Sequence, residues 1–167
     1  MSTDAIVFLK DEHKQMKRAF REFEKNKENP DRRGEIVRRM VELLTIHTYL
    51  ENEIMYPEVR RLLPGVEDDV LESYEEHHVA DVLCLELWSL DAGDERYPAK
   101  ATVLIENVEH HMEEEEQEWF PKVREGVSRK DLRDIGQRMI DKRPDAPREP
   151  TRPSAMQKAA EAIGVGA

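Results

Sequence analysis

The sequence predicts an all-α protein: an up-down antiparallel four-helix bundle with a short extra helix and a proline-rich C-terminal tail. Apolar residues recur at helical spacing in four long stretches, and short breaks separate these stretches. Of the 167 residues, 38% are charged and only seven are glycine, a balance typical of amphipathic helices with solvated outer faces. Four such helices joined by short breaks favour an antiparallel bundle.

The first two helices are predicted over residues 4–27 and 33–62. The polar residues that end at Asp4 offer an N-cap for the first helix, and Pro30 follows its end. The second helix contains Pro57, which has no amide hydrogen and must therefore kink or interrupt it.

The third and fourth helices are predicted over residues 67–91 and 98–124. A shorter helix should begin at Ser128, which forms a capping-box-like pair with Asp131, and should end near Lys142.

The chain therefore divides into a bundle over residues 1–142 and a tail over residues 143–167. Prolines at four positions between Arg143 and Pro153 predict an extended linker that cannot be helical. Residues 154–163 could form one last short helix.

Charge and cysteine content exclude several functions. The formal net charge is −11 with no basic stripe, so we expect no nucleic-acid partner. The apolar run near the first residue is too short for a signal peptide or a membrane span, and we expect no membrane partner. The single cysteine, Cys84, excludes an intrachain disulfide, and together these features predict a cytoplasmic protein.

The two halves of the bundle repeat with an offset of 64 positions. His47 and Glu51 form a His-x3-Glu pair before Tyr56-Pro57, and a second His-x3-Glu pair precedes Phe120-Pro121. The same offset relates His13 to His77. The repeat selects six residues as candidate metal ligands: His13, His47, Glu51, His77, His111 and Glu115.

The repeat also decides between adjacent histidines. It selects His77 over His78 and His111 over His110. On a helical wheel His77 and His111 continue the apolar stripes of their helices, whereas His78 points about 100° away.

Four imidazoles and two carboxylates converging inside a bundle indicate a metal site. A single His on an apolar face is more often a hydrogen-bonded core residue, and a single Glu is more often solvated, but the repeat favours the metal site for the whole set. Buried carboxylates need cations or metals, and no core-facing Lys or Arg matches them. Mixed imidazole and carboxylate ligands suit iron, manganese or zinc, and two carboxylates could bridge two ions.

Neighbouring residues receive less specific interpretations. Asp81, four residues after His77, is either a positioning or proton-shuttling partner or an exposed residue. In the acidic run 113–116 only Glu115 has the spacing to point inward. Tyr56, Trp119 and Phe120 are interpreted as packing residues near the bundle end.

These residues together resemble the hemerythrin-like, or HHE cation-binding, family, over about residues 4–125. The actinobacterial members look most similar, on the Glu-Glu-His-His run that ends at His78 and the proline-rich tail. The resemblance implies an oxo-bridged di-iron centre, with its ligands placed as follows. His13 and His47 would hold one iron, His77 and His111 the other, and Glu51 and Glu115 would bridge them.

One departure from the family bears on function. Oxygen-carrying hemerythrins have a further His four residues after the third-helix His, where this chain has Asp81. Its loss disfavours reversible oxygen carriage and favours redox turnover, so the resemblance predicts catalase-like disproportionation of hydrogen peroxide. The alternatives are nitric oxide reduction at the same centre, a binding module for dioxygen, nitric oxide or iron, and a metal-free helical interaction protein, which the repeat disfavours.

Overall fold

The computed structural model of the protein describes residues 3–150. The helices are α1 (Ala5–Asn26), α2 (Pro30–Leu50), α3 (Tyr56–Leu62), α4 (Glu67–Ser89), α5 (Tyr97–Glu114), α6 (Phe120–Gly126) and α7 (Arg129–Lys142). Four long helical stretches form the bundle: α1, α2 with its continuation α3, α4, and α5 with its continuation α6. Helix α7 packs beside them. The prediction of a helical bundle is confirmed. Residues 154–163, predicted as a last short helix, lie outside the described residues.

Two helices of the bundle contain a π-helical turn at the same place in the repeat. The turns are Glu51–Met55 and Glu115–Trp119, and each begins at the glutamate of a His-x3-Glu pair. Beyond each turn the next amide donates to the carbonyl of that glutamate, five residues back. Each turn lies just before a proline, Pro57 or Pro121, which has no amide hydrogen to donate. The kink predicted at Pro57 therefore takes the form of a widened helical turn.

Helix α7 packs against the beginning of α1 through a buried face. Ser128 caps α7, accepting from the amide of Asp131 at 3.1 Å, which confirms that predicted pair. A Cβ at Gly136 would lie 2.4 Å from the carbonyl oxygen of Thr3, so only glycine allows this close approach.

The segment after α7 corrects one prediction. Arg143–Asp145 forms a turn of 3-10 helix rather than extended chain. Pro144 is tolerated there because the first residues of a helix need no amide donor. Ala146 is buried in the core, so the beginning of the predicted tail packs against the bundle.

Two apolar clusters fill the bundle, and the predicted ligands lie between them along the helices. One cluster joins the ends of the bundle helices to α7, and the other fills the opposite end around Phe20 and Phe23. Within the described residues, no helix is both long and apolar enough to cross a membrane.

Candidate metal centre

The six residues that the repeat selects converge in the interior. All six are buried, with Glu51 fully inaccessible and Glu115 2% exposed. The histidines form two pairs: the ring centroids of His13 and His47 are 5.0 Å apart, and those of His77 and His111 are 4.7 Å apart. The histidines are thus grouped as the family resemblance implies, and their role as metal ligands stays a prediction.

Glu51 reaches both histidine pairs. One of its oxygens, Oε2, lies 3.2 Å from Nε2 of His47 and 3.2 Å from Nε2 of His77. Its other oxygen, Oε1, has no hydrogen-bond partner within the described structure.

Glu115 is arranged in the same way from the opposite side. Its Oε2 lies 3.3 Å from Nε2 of His13, and its Oε1 lies 3.5 Å from Nε2 of His111. Each carboxylate therefore spans the two halves, as a bridging group must.

The donor set fits metal ions. Ligand atoms of His13, His47, Glu51 and Glu115 all lie within 4.8 Å of one another, and those of Glu51, His77 and His111 form a second such group. Several of these atoms are buried without a hydrogen bond in the described part of the chain: Nε2 of His13 and His47, Oε1 of Glu51 and Oε2 of Glu115. Buried polar atoms left in this state are costly, and cations would satisfy them.

Two glutamates that the sequence interpretation missed orient two of the histidines. Glu12 Oε2 lies 3.0 Å from Nδ1 of His47, and Glu76 contacts Nδ1 of His111. Glu12 and Glu76 are equivalent in the 64-residue repeat, and each precedes a candidate ligand. That equivalence was a signal available in the sequence. A carboxylate on Nδ1 leaves Nε2 to face the metal position.

The other two histidines also have equivalent partners, but of different chemistry. Glu116 Oε1 lies 2.8 Å from Nδ1 of His13, and Asn52 Oδ1 lies 2.9 Å from Nδ1 of His77. The prediction that only Glu115 of the acidic run points inward is wrong, because Glu116, within the π-helical turn, is half-buried and reaches His13. The centre is therefore asymmetric, with a carboxylate behind His13 and a neutral amide behind His77.

Tyr56 corrects a second interpretation. Its hydroxyl oxygen lies 3.1 Å from Glu115 Oε1, 3.2 Å from Glu51 Oε2 and 3.1 Å from Nε2 of His77, so its single proton can be donated to either carboxylate. It is thus part of the cluster rather than a packing residue. Its repeat equivalent, Phe120, has no polar atom and stacks on His13 at 5.8 Å.

Burial and charge shift the pKa values of the histidines in opposite directions. Burial lowers the pKa of His111, but the carboxylates of Glu115 and Glu76 outweigh it and raise the pKa to about 9. At His77 burial prevails, and with the neighbouring His111 it lowers the pKa. The hydrogen bond from His13 lowers the pKa of Glu116 to about 2. The Glu116 carboxylate on Nδ1 of His13 is therefore charged near neutral pH.

The remaining candidates lie outside this cluster. His110 is exposed and pairs with Glu114 at 3.2 Å. His78 and Asp81 are half-buried and belong to no group of potential ligands in the described residues. A role for Asp81 in positioning or proton transfer stays a prediction.

The fold and the site together define a helical bundle with a buried histidine–carboxylate cluster suited to metal ions. The model of the hemerythrin HHE cation binding domain matches residues 4–123. The chain therefore belongs to the hemerythrin HHE family, and the predicted family is confirmed.

A solved structure supports the same fold. A hemerythrin HHE cation binding domain-containing protein from Mycobacterium kansasii is similar with a TM-score of 0.68 and 20% sequence identity. The match covers 97% of this chain and 91% of that one. At this identity the likeness shows the fold alone. No curated protein matches the chain.

Proposed function

We propose that the protein holds two iron ions and disproportionates hydrogen peroxide. The observation that carries this proposal is the arrangement of two histidine pairs joined by two carboxylates that each reach both pairs. His13 and His47 would hold one iron, His77 and His111 the other, and both carboxylates would bind both ions. Imidazole and carboxylate ligands with open positions suit iron that reacts with oxygen species.

The chemistry of the cysteine supports iron rather than structural zinc. Cys84 lies in the apolar cluster at the far end of the bundle, and burial raises the pKa of its thiol. Structural zinc sites rely on thiolates, which this centre lacks. A buried, reduced thiol also supports a cytoplasmic location, which we include in the proposal.

When bound, two irons supply a two-electron redox couple, which matches the conversion of two peroxide molecules into one dioxygen and two waters. The protein must then hold and return the protons of the peroxide. The Tyr56 hydroxyl suits the step that returns a proton, because it is within 3.2 Å of both carboxylates, from which its proton can be replaced. Burial, with the charges of Glu115 and Glu51, raises its pKa well above the ordinary value, so near neutral pH the phenol holds a proton that it can donate.

The half of the site with His77 favours turnover over oxygen carriage. The position where oxygen carriers have a further His is Asp81 here, and the Tyr56 hydroxyl lies beside His77 in the same half. The Tyr56 hydroxyl therefore offers a proton donor in this half of the site. A reversible oxygen carrier would instead need an iron whose coordination positions are filled by protein ligands and which does not react further.

Metal analysis and a peroxide assay test the proposal. The purified protein should contain two irons per chain and evolve dioxygen from hydrogen peroxide without an added reductant. Azide should compete with peroxide. Reversible oxygenation without peroxide turnover would replace the enzymatic proposal with a binding module, and one zinc or no metal after growth with iron would reject the di-iron centre.

Two variants separate the role of Tyr56 from packing. Tyr56→Phe should retain both irons but slow peroxide turnover about tenfold or more, because general acid–base groups contribute on this scale. Tyr49→Phe, which removes a hydroxyl from a partly buried residue beside the apolar cluster, is the matched control. Equal rates in the two variants would contradict the proton-holding role.

A further inference from the structure

One half of the centre is lined by an acidic cavity that opens to the surface. The cavity has a volume of about 70 Å³, and its lining includes His111 and Glu115 of the centre. The outer lining is acidic, with Glu72, Glu114 and Glu118 among its residues. A space of this size holds about two water molecules, enough for a partly hydrated metal ion to pass.

The surroundings of the other half differ, and the repeat shows why. The positions equivalent to Glu72, Glu114 and Glu118 are Phe8, Leu50 and Ile54, all apolar. They pack in the apolar cluster that includes buried residues of α7: Leu132, Ile135 and Met139. Helix α7 therefore covers one side of a nearly symmetric bundle and leaves the other side polar.

Arg143 completes this cover. Its Nε donates to Glu12 Oε1 at 2.9 Å, and Glu12 is 5% exposed. Within residues 3–150, the equivalent residue Glu76 pairs with no arginine and lines the acidic cavity instead. The same repeat position is thus sealed on one side and open on the other.

Two features of the cavity point to a cation as the species that enters it. Asp69 pairs with Lys122, and Glu76 and Glu114 pair with histidines, so Glu72 and Glu118 are the outer carboxylates without a basic partner in the part of the chain that the structure describes. The cavity also reaches two residues of the candidate centre, His111 and Glu115, so a cation that enters it would meet ligand groups there. Clefts lined by one sign of charge concentrate ions of the opposite sign.

We propose that this cavity is the route by which ferrous ions enter the centre, first reaching His111 and Glu115, while α7 closes the other side. The inference rests on the proposed iron centre and adds the route and its charge selectivity. Anions should enter slowly by the same route, because the carboxylates repel them.

The rate of iron uptake tests the route. Apo-protein is mixed anaerobically with ferrous ion, and unbound iron is trapped at timed intervals by a coloured chelator. Glu72 and Glu118 form no hydrogen bond or ion pair with the six candidate ligands in the described part of the chain, so E72Q/E118Q alters the route without altering the ligands. The double variant should take up iron about three- to tenfold more slowly at low ionic strength. E72K/E118K should be slower still and should bind azide faster once loaded.

The matched control is E106Q/E109Q, which removes the same charge from exposed positions of α5 outside the cavity. Its uptake should stay within about twofold of the native rate, and the native rate should fall as salt rises. Equal slowing in both double variants would assign the effect to net charge, and no slowing in either would reject the route. Native apo-protein that takes up no iron would instead reject the proposed centre. Circular dichroism verifies each fold, and E72Q alone replaces any pair that does not fold.

Discussion

Replacing Glu12 with glutamine should weaken iron binding about tenfold, although Glu12 binds no metal in the proposed centre. Glu12 Oε2 accepts from Nδ1 of His47 at 3.0 Å, and its Oε1 accepts from Arg143 at 2.9 Å. The carboxylate thus fixes the His47 ring and increases its basicity. Glutamine has one acceptor oxygen, so it can serve one of these two donors and must present its amide to the other.

The magnitude follows from the change in hydrogen-bond type. Bonds that involve a charged group contribute about 1.5–3 kcal/mol, and neutral ones about 0.5–1.5 kcal/mol. Losing the charge therefore costs about 1–1.5 kcal/mol, which is about tenfold in affinity. Glu76→Gln is the control at the equivalent position. The Glu76 side chain is 19% exposed, against 7% for Glu12, so water can replace the lost acceptor. We therefore expect Glu76→Gln to weaken iron binding only about threefold.

The assay is competition for iron with a chelator of known affinity, at fixed pH and ionic strength. Urea unfolding of the apo-variants shows whether the fold itself is weakened. The reasoning is refuted if Glu12→Gln changes the iron affinity less than twofold, or if Glu76→Gln has the larger effect.

Three further predictions concern the ligands, the tail and pH. His77→Ala and His111→Ala should lose iron and destabilise the bundle, whereas His78→Ala and His110→Ala should retain it in metal analysis; the reverse would shift the repeat by one residue. A chain cut after Lys142 should fold and hold two irons, because every candidate ligand precedes the cut, but chelator competition should show weaker binding, since the cut removes Arg143 and the buried Ala146. In apo-protein the pKa of His111 is raised to about 9, so protonated His111 stabilises the folded state. This contribution to the free energy of unfolding is fully present below about pH 6.5 and is lost as the pH rises to 9. Iron affinity should change in the opposite direction over this range, because iron must displace that proton; chelator competition and urea unfolding against pH measure both trends.

The sequence determined the helices and the six candidate ligands. Helical periodicity depends on the spacing of apolar residues along the chain, so it can be read without knowing what packs where. The 64-residue repeat also identified which histidine of each adjacent pair is the candidate ligand. It selected His77 over His78 and His111 over His110 without any knowledge of the packing. The sequence predicted a kink or interruption at Pro57, but not the π-helical turns themselves.

Only the tertiary structure decided what surrounds the ligands. The bonds from Glu116 to His13 and from Glu12 to His47 join residues 103 and 35 positions apart, and their formation depends on the rotation and distance of packed helices. The hydroxyl of Tyr56 meets the cluster because a π-helical turn rotates it inward, which an aromatic-proline pair does not reveal. One side of the centre is covered because α7 packs on α1. The apolar stripe of each helix shows that this face is buried, but it does not show which helix packs against it.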